Sequence, residues 1–178
     1  MKYVRIPKER VGVLIGHKGE TKQTIEEISK VTLTIDSEEG EVVIDDSKTT
    51  DPVVCLQVED VIRAIGRGFN PERAMKLFSD EIELFVFDIY EYVGKKESHV
   101  IRLKSRIIGS DGKTKRVIEQ LTGAYLSIYG HTVSVIAEFE SMDITKRAVD
   151  MLLSGSKHAK VYQFIEREMK KLKIGESW

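Results

Sequence analysis

Two short stretches of the sequence combine the residue types that hold a phosphate group. In each, an apolar run leads into a Gly-x-x-Gly turn and then a polar helix start; the turns span residues 16–19 and 109–112. Glycine lets the backbone approach a ligand closely because it has no Cβ. The helix that follows directs its free N–H groups and the positive end of its dipole towards the same place. The pattern therefore predicts two phosphate-binding turns, with flanking Ile and Leu side chains as an apolar floor for a base.

The two turns belong to an internal duplication. When the chain is shifted by 93 positions, nine of the 23 residues from 14 to 36 are identical to their counterparts. These residues are Ile15, Gly16, Gly19, Thr21, Lys22, Ile25, Glu26, Leu33 and Ile35. One Gly-x-x-Gly alone says little, but its repetition in the same context indicates two copies of one unit. The doubled motif favours nucleic-acid binding, and a purely structural helix turn is the alternative.

The charges of the chain are distributed unevenly. The formal net charge of −1 argues against a nucleic-acid binder. However, residues 95–116 hold eight Lys and Arg against two acids (+6), and residues 1–22 hold six against two (+4). Residues 36–51 hold seven acids against one lysine (−6). Because the two basic segments carry the two turns, the distribution favours one face for a polyanion. A mixed, solvated surface is the alternative.

The two turns differ in the residues between their glycines. The first places His17 and Lys18 there, whereas the second places Ser110 and Asp111, and an acid opposes phosphate. More basic residues surround the second turn, so the pattern leaves open which turn binds more tightly. The predicted RNA-binding residues are Ile15, Gly16, His17, Lys18, Gly19, Lys22, Lys104, Arg106, Ile108, Gly109, Ser110, Gly112, Lys113, Lys115 and Arg116.

Hydrophobic periodicity predicts strand, helix, turn, helix, strand, strand and helix in each copy. The first copy has predicted strands at 2–6, 31–36 and 41–44, and helices at 8–15, 21–30 and from Pro52 after an Asp51 cap to Gly66 or Gly68. In the second copy we expect strands at 82–92, 126–129 and 133–137, and helices at 99–108, 113–122 and 142–154, the outer two capped by Ser98 and Ser141. Further helices are predicted at 72–78 and 157–173.

Several other chemistries do not fit the residues. Residues 112–114 resemble the end of a phosphate-binding P-loop, but position 107 is Ile where that motif has its first glycine. The four histidines lack metal-ligand spacing. The acids of residues 38–46 suit a solvated hairpin edge better than a metal-dependent nuclease. The aromatic stripe of residues 85–92 is typical of a core, with base stacking by one exposed ring as the alternative. We therefore expect no catalytic residue, no metal and no cofactor.

The sequence also bears on the compartment. Cys55 is the only cysteine and lies on a predicted core face, so no intrachain disulfide forms, as expected in a reducing cytoplasm. No apolar run approaches the roughly 18–20 residues of a membrane span. The first residues lack the apolar core of a signal peptide. These features together predict a cytoplasmic protein.

The predicted element order resembles the eukaryotic-type KH domain, which clamps about four nucleotides. The whole chain looks like two such domains in tandem. Residues 108–119, with residues 152–162 and 64–69, are similar to the Dim/partner-of-Nob family of pre-ribosomal RNA processing factors. The implied fold is α+β: two tandem type I KH domains (βααββα) with antiparallel three-stranded sheets, plus a C-terminal helix. The implied boundaries are 1–69, a connecting helix at 70–80, 81–155, and a C-terminal helix and tail at 156–178.

The resemblance also implies a function. It predicts a non-enzymatic factor that binds small-subunit (16S) rRNA near its 3′ end during pre-rRNA processing. The implied partners are the PIN-domain endonuclease that trims this end and the alpha subunit of translation initiation factor two. Eukaryotic members usually carry a lysine-glycine pair inside the second turn and tend to lose the first turn, whereas this chain has Ser110-Asp111 and an intact first turn. The competing hypothesis is a protein-interaction scaffold with only weak RNA binding.

Overall fold

The computed structural model describes residues 1–176 of the chain. Contacts between Cα atoms divide the chain into two compact units, of which the first spans Met1–Asp80 and the second begins at Glu81. Each unit contains one three-stranded antiparallel sheet with helices packed against it. The duplication seen in the sequence is therefore a duplication of a folding unit.

The first unit follows the predicted order closely. Its elements are β1 (Lys2–Arg5), α1 (Lys8–Ile15), α2 (Glu20–Ser29), β2 (Thr32–Asp36), β3 (Glu41–Asp45), α3 (Pro52–Gly66) and α4 (Pro71–Met75). The strand order is β1-β3-β2, with Val4 opposite Val42 and Leu33 opposite Ile44. These alternating side chains face the helices and are almost fully buried. Period-2 alternation thus places one apolar face of the sheet on the core.

The two helices that follow the first sheet each begin with a side-chain N-cap. The Asp51 side chain accepts a hydrogen bond from the Val53 N–H, and Pro52 occupies the first helical turn. Asn70 caps α4 in the same way through the Arg73 N–H. The start of α3 confirms the prediction from the cap-plus-proline pattern, and α4 begins with the same pattern at Asn70 and Pro71. The residues that follow α4 form a short 3-10 turn and pack on α3.

The second unit repeats the arrangement and adds a helix. Its elements are β4 (Ile82–Asp88), α5 (Tyr90–Val93), α6 (Glu97–Ile108), α7 (Lys113–Thr122), β5 (Tyr125–Tyr129), β6 (Thr132–Glu138), α8 (Phe139–Leu153) and α9 (His158–Glu176). The strand order is β4-β6-β5, all antiparallel. Helix α9 packs on α7 and α8, and its Val161, Phe164 and Ile165 side chains belong to the core. The predicted fold of two βααββα units plus a C-terminal helix is confirmed.

The predicted strand at 82–92 is wrong in its second half. β4 ends at Asp88, and the following residues form the short helix α5. The Asp88 carboxylate accepts the Tyr90 N–H at 2.9 Å and lies 2.9 Å from His131 Nδ1. This side chain therefore stabilises a turn where the composition favoured continued extension. The predicted domain boundaries, including the separate connecting helix, stay a prediction.

Two predicted helix caps are also wrong. Helix α6 begins at Glu97 after Lys96, so Ser98 already lies inside the helix. Ser141 is buried inside α8, which begins at Phe139. The Phe139 N–H donates to the Glu81 carbonyl at 2.7 Å, so a contact across the sheet sets this helix start. At α8 a tertiary hydrogen bond overrides the local cap that a serine can provide, whereas α6 begins one residue before Ser98 with the Lys96 carbonyl accepting the His99 N–H.

The aromatic stripe of the sequence contacts the protein itself. Phe87 is buried, and the Phe85 ring lies edge-on to it at 4.8 Å with Lys146 Nζ 3.9 Å from its centroid. The Tyr90 ring stacks on His131 at 4.0 Å. These contacts favour the core interpretation of the stripe over base stacking.

The Tyr92 hydroxyl ties α5 to α8. It donates a hydrogen bond of 2.6 Å to the Asp150 carboxylate. Burial, together with this hydrogen bond, raises the pKa of Tyr92 above its ordinary value. We expect Tyr92→Phe to lower the free energy of unfolding by about 1 kcal/mol, because it removes one hydrogen bond to a charged group. Urea denaturation followed by circular dichroism measures this change. An unchanged midpoint would show that α5 is held by packing alone.

Candidate nucleic-acid interface

The two Gly-x-x-Gly turns have the same backbone conformation. Gly16 has φ 78° and ψ 174°, and Gly109 has φ 74° and ψ 177°. The third residue of each turn adopts the left-handed conformation, at φ 52° and ψ 29° for Lys18 and φ 52° and ψ 30° for Asp111. The opposite charges of these two side chains thus sit on equivalent backbone positions.

The first glycine of each turn packs directly on a threonine. A Cβ at Gly16 would lie 2.4 Å from Thr21 Oγ1, and one at Gly109 would lie 2.2 Å from Thr114 Oγ1. Each threonine is the second residue of the following helix, which explains why the duplication preserves Gly-x-x-Gly-x-Thr. In the first turn, a Cβ added at the last glycine, Gly19, would lie in open space. The preference for glycine at this position therefore comes from its positive φ.

Main-chain N–H groups of the turns are left for a ligand. The first glycine donates back to α1 or α6, and the last glycine donates to the first at 3.2 Å in both turns. The two residues between the glycines have no main-chain acceptor among residues 1–176. Because a helix begins immediately afterwards, its positive dipole end adds to the same field. Each turn therefore offers a preformed anion cradle.

An isoleucine ends the helix that enters each turn, and in the second unit it continues into an apolar strip. Ile15 and Ile108, the last residues of α1 and α6, are half-buried and end beside the turn. Ile101 lies two helical turns earlier on the same flank of α6 and is 54% exposed. Lys104 lies between these two isoleucines on that flank. The second unit thus presents a longer apolar strip with a lysine beside it, as a base and its phosphate require.

The lysines on the outgoing helices form ion pairs along their own helix. Lys22 Nζ lies 3.9 Å from the Glu26 carboxylate, which also accepts the Leu33 N–H at 2.8 Å. This contact places the Lys22 flank of α2 beside the start of β2. In the second unit Lys115 Nζ lies 2.9 Å from Glu119. A phosphate would compete with the carboxylate for each of these lysines.

The other predicted cations of the second turn divide into two groups. Arg106 donates from its guanidinium to the carbonyls of Leu152 and Ser156, and therefore holds the end of α8. Arg116 Nη1 donates to the Asp111 carbonyl at 2.7 Å and so braces the turn itself. Lys113, in contrast, is exposed and forms no ion pair within residues 1–176. The two arginines thus have structural contacts that the sequence did not reveal.

The two side chains between the glycines of the first turn are exposed. His17 and Lys18 are both exposed, and neither forms an ion pair among the residues that the structure describes. The acidic segment of this unit lies elsewhere, in the hairpin between β2 and β3 and in the loop after β3. There the side chains of Asp36 and Asp45 accept N–H groups of the following residues. These acids therefore stabilise turns, which agrees with the prediction of a solvated hairpin edge.

Four residues beside the second turn were missed by sequence reasoning. Arg102, Ser105, His158 and Tyr162 line a pocket of about 660 Å³ together with residues of the turn. The spacing of Arg102 and Arg106 placed them on one helix flank and was a usable signal. Nothing in the sequence linked His158 and Tyr162 to the turn, because α9 reaches it only through tertiary packing.

The described part of the chain does not contain the side-chain arrangements that the remaining candidate chemistries would need. Residues 1–176 contain no group of three or more His, Cys, Asp or Glu side chains placed to hold a metal ion. Cys55 is 5% exposed, and burial, followed by the nearby Asp46 charge, raises the pKa of its thiol. In the same residues no helix has the length and apolarity needed to cross a membrane.

The fold and the turns define a class of protein: two tandem eukaryotic-type KH domains. Family models agree with this assignment in each unit. Residues 83–170 match the eukaryotic-type (type I) KH domain of the PNO1 second-domain model, and residues 3–80 match the Krr1 KH1 domain.

Individual relatives narrow the class. A KH domain-containing protein of Methanocaldococcus jannaschii is 51% identical over 170 residues, covering 96% of this chain and 74% of that protein. The crystal structure of Dim2p from Pyrococcus horikoshii matches with a TM-score of 0.86 and 42% identity, covering 93% of this chain and 98% of that one. The P. horikoshii a/eIF2alpha-aDim2p-rRNA complex contains a chain that matches at a TM-score of 0.88 and 42% identity over 96% of this chain and 94% of its own. The chain belongs to the archaeal Dim2p family of KH-domain proteins.

The threonine contact predicts different costs for the two glycines of the second turn. Gly109→Ala would force its methyl group into Thr114, whereas Gly112→Ala would meet only the end of the flexible Arg116 side chain at 3.5 Å. Gly112 has left-handed helical angles, so we expect Gly112→Ala to lower the free energy of unfolding by roughly 1 kcal/mol. Gly109 has ψ 177° and lies in a region that is essentially confined to glycine, where a side chain costs about 1–3 kcal/mol. We expect Gly109→Ala to cost more than this backbone penalty, because its methyl group also meets Thr114. Chemical denaturation of the two variants side by side measures the difference, and equal costs would contradict the packing argument.

Proposed function

We propose that this chain is a non-enzymatic, single-stranded RNA-binding factor of small-subunit ribosome assembly. It binds the small-subunit (16S) rRNA near its 3′ end during pre-rRNA processing. The observation that carries this proposal is the pair of anion cradles with matching backbone angles, each beside an isoleucine and within a basic segment. The presence of rRNA in the complex of the similar P. horikoshii chain supports the choice of RNA.

The geometry explains how a strand would be held. One phosphate accepts hydrogen bonds from the free N–H groups of a turn and faces the start of α2 or α7. The neighbouring base lies on Ile15 or Ile108, with no base pairing partner in the way. Lys18 at the first turn and Lys113 at the second are exposed cations that supply the long-range attraction, and Lys104 adds a half-buried cation beside the second turn. The exposed His17 offers a further polar contact beside Lys18. Such a site selects unpaired strands, because a duplex cannot lay single bases on the strip.

The first test is direct binding. Fluorescence anisotropy with an RNA of the small-subunit 3′ end should show an affinity that falls as salt rises, with a slope of about −0.7 per phosphate contact. A duplex of the same sequence serves as the matched control and should bind more weakly. Absence of binding at about 100 µM protein, the weak end of non-specific affinity, would overturn the proposal.

The relative importance of the two turns is tested by exchanging one residue between them. Lys18→Asp and Asp111→Lys swap side chains between two positions with the same backbone angles, so each introduced side chain already occupies that conformation in the other turn. A charge near a phosphate at the surface contributes about 1 kcal/mol. We therefore expect Lys18→Asp to weaken RNA binding and Asp111→Lys to strengthen it, each by roughly fivefold or more.

The exchange has two informative outcomes besides the expected one. If only Asp111→Lys changes the affinity, the second turn alone holds the RNA. If neither variant changes it while the wild type binds, the turns are not the binding site. Asp111→Asn, which removes the charge and tolerates the left-handed conformation, should give an intermediate gain.

We also propose two protein partners, the alpha subunit of translation initiation factor two and the PIN-domain endonuclease of the same pathway. The first is supported by the P. horikoshii complex, which contains a/eIF2alpha with aDim2p and rRNA. Mixing the purified proteins with and without RNA, followed by size-exclusion chromatography, should give co-elution with the alpha subunit. Separate elution under both conditions would remove that partner from the proposal. Cleavage of RNA by this chain alone would overturn its non-enzymatic role.

A further inference from the structure

A pocket lies beside the second turn, on the side covered by α9. Its volume is about 660 Å³. It is lined by Arg102, Ser105 and Arg106 of α6, Gly109 and Ser110 of the turn, Lys113 and Thr114 of α7, and His158 and Tyr162 of α9. Arg102 and Arg106 lie on one flank of α6, whereas Lys104 and Ile108 lie on the other flank. The pocket is therefore separate from the apolar strip but meets it at the turn.

The lining has the chemistry of an anion site. It contains three permanently charged cations and a histidine, and no carboxylate. Arg102 and Lys113 are exposed, and neither has an ion-pair partner within residues 1–176. The Ser110 hydroxyl adds a further donor, whereas the Ser105 hydroxyl donates to the Ile101 carbonyl at 2.9 Å. Two unpaired cations facing one cavity without an acid between them attract a phosphate.

Helix α9 makes the walls of this pocket rigid. The His158 ring lies with Nε2 2.9 Å from the Arg106 carbonyl, and the Tyr162 hydroxyl donates to Thr114 Oγ1 at 3.3 Å. The Arg106 guanidinium binds the chain just before α9 through the Ser156 carbonyl. Thr114 is itself the residue on which Gly109 packs. The pocket and the anion cradle of the turn are thus parts of one connected structure.

The first unit has no equivalent of the Tyr162 contact within residues 1–176. Among these residues, no aromatic side chain forms a hydrogen bond with the hydroxyl of Thr21, the counterpart of Thr114. Ile28 is 52% exposed, whereas its counterpart Leu121 packs against the core that α9 completes. The pocket is therefore a property of the second unit and of its additional helix.

We propose that this pocket binds a second backbone phosphate of the same RNA strand whose first phosphate lies on the 109–112 turn. The proposal rests on the RNA-binding function given above and extends the binding site of the second KH domain onto α9. Arg102 and Lys113 supply the charge, and His158 and Tyr162 form the wall that keeps the site open. The second domain then holds a longer strand than the roughly four nucleotides of a KH groove.

The test compares two RNA lengths. Affinities of the full chain are measured for a four-nucleotide and an eight-nucleotide RNA of the small-subunit 3′ end, both with hydroxyl termini so that only phosphodiesters are present. Arg102→Ala should weaken binding of the eight-nucleotide RNA by about threefold to tenfold and reduce its salt slope by about 0.7. Binding of the four-nucleotide RNA should change by less than twofold. Arg102→Glu should enlarge the loss.

The matched control is Lys160→Ala, which removes an exposed cation from α9 outside the pocket. It should leave both affinities unchanged, and thermal unfolding verifies that all variants remain folded. Equal binding of the eight-nucleotide RNA by Arg102→Ala and the wild type overturns the pocket proposal while RNA binding stands. Equal weakening for both lengths also overturns it, since Arg102 would then act at the turn. If the wild type binds neither RNA, the proposed function itself is wrong.

Discussion

The contact between the first glycine of each turn and the threonine five residues later determines the rest of the binding surface. With no Cβ on Gly16 or Gly109, the threonine side chain occupies that space and the outgoing helix begins one residue after the turn. This closeness aims the helix dipole and the free N–H groups at one point. The third position of each turn adopts the left-handed conformation, with nearly the same angles at Lys18 and Asp111.

The two copies have diverged around this shared geometry. The second turn contains an acid, but α9 contributes Tyr162 and His158 and completes a basic pocket beside it. Arg106 and Arg116, which the charge pattern suggested as RNA contacts, also brace the second turn and its surroundings.

Several elements could be predicted to the residue because their signals are local. Helices α1 and α7 begin and end as predicted, since a glycine stops one and starts the other and the apolar spacing fills the interval. The errors share a cause. Beyond Asp88 the composition favoured a strand, but a side-chain cap and the stacking of Tyr90 on His131 turn the chain. At Ser98 and Ser141 a good capping residue was present, yet the helices begin earlier.

The sequence by itself determined the duplication, the two KH folds, the position of both turns and the basic character of the segments that carry them. These properties follow from periodicity, glycine and charge, which act over a few residues. Only the tertiary structure decided which cations are free and which are bound within the protein. It alone brought α9 against the second turn, because residues some fifty positions apart meet only when a shared core is buried.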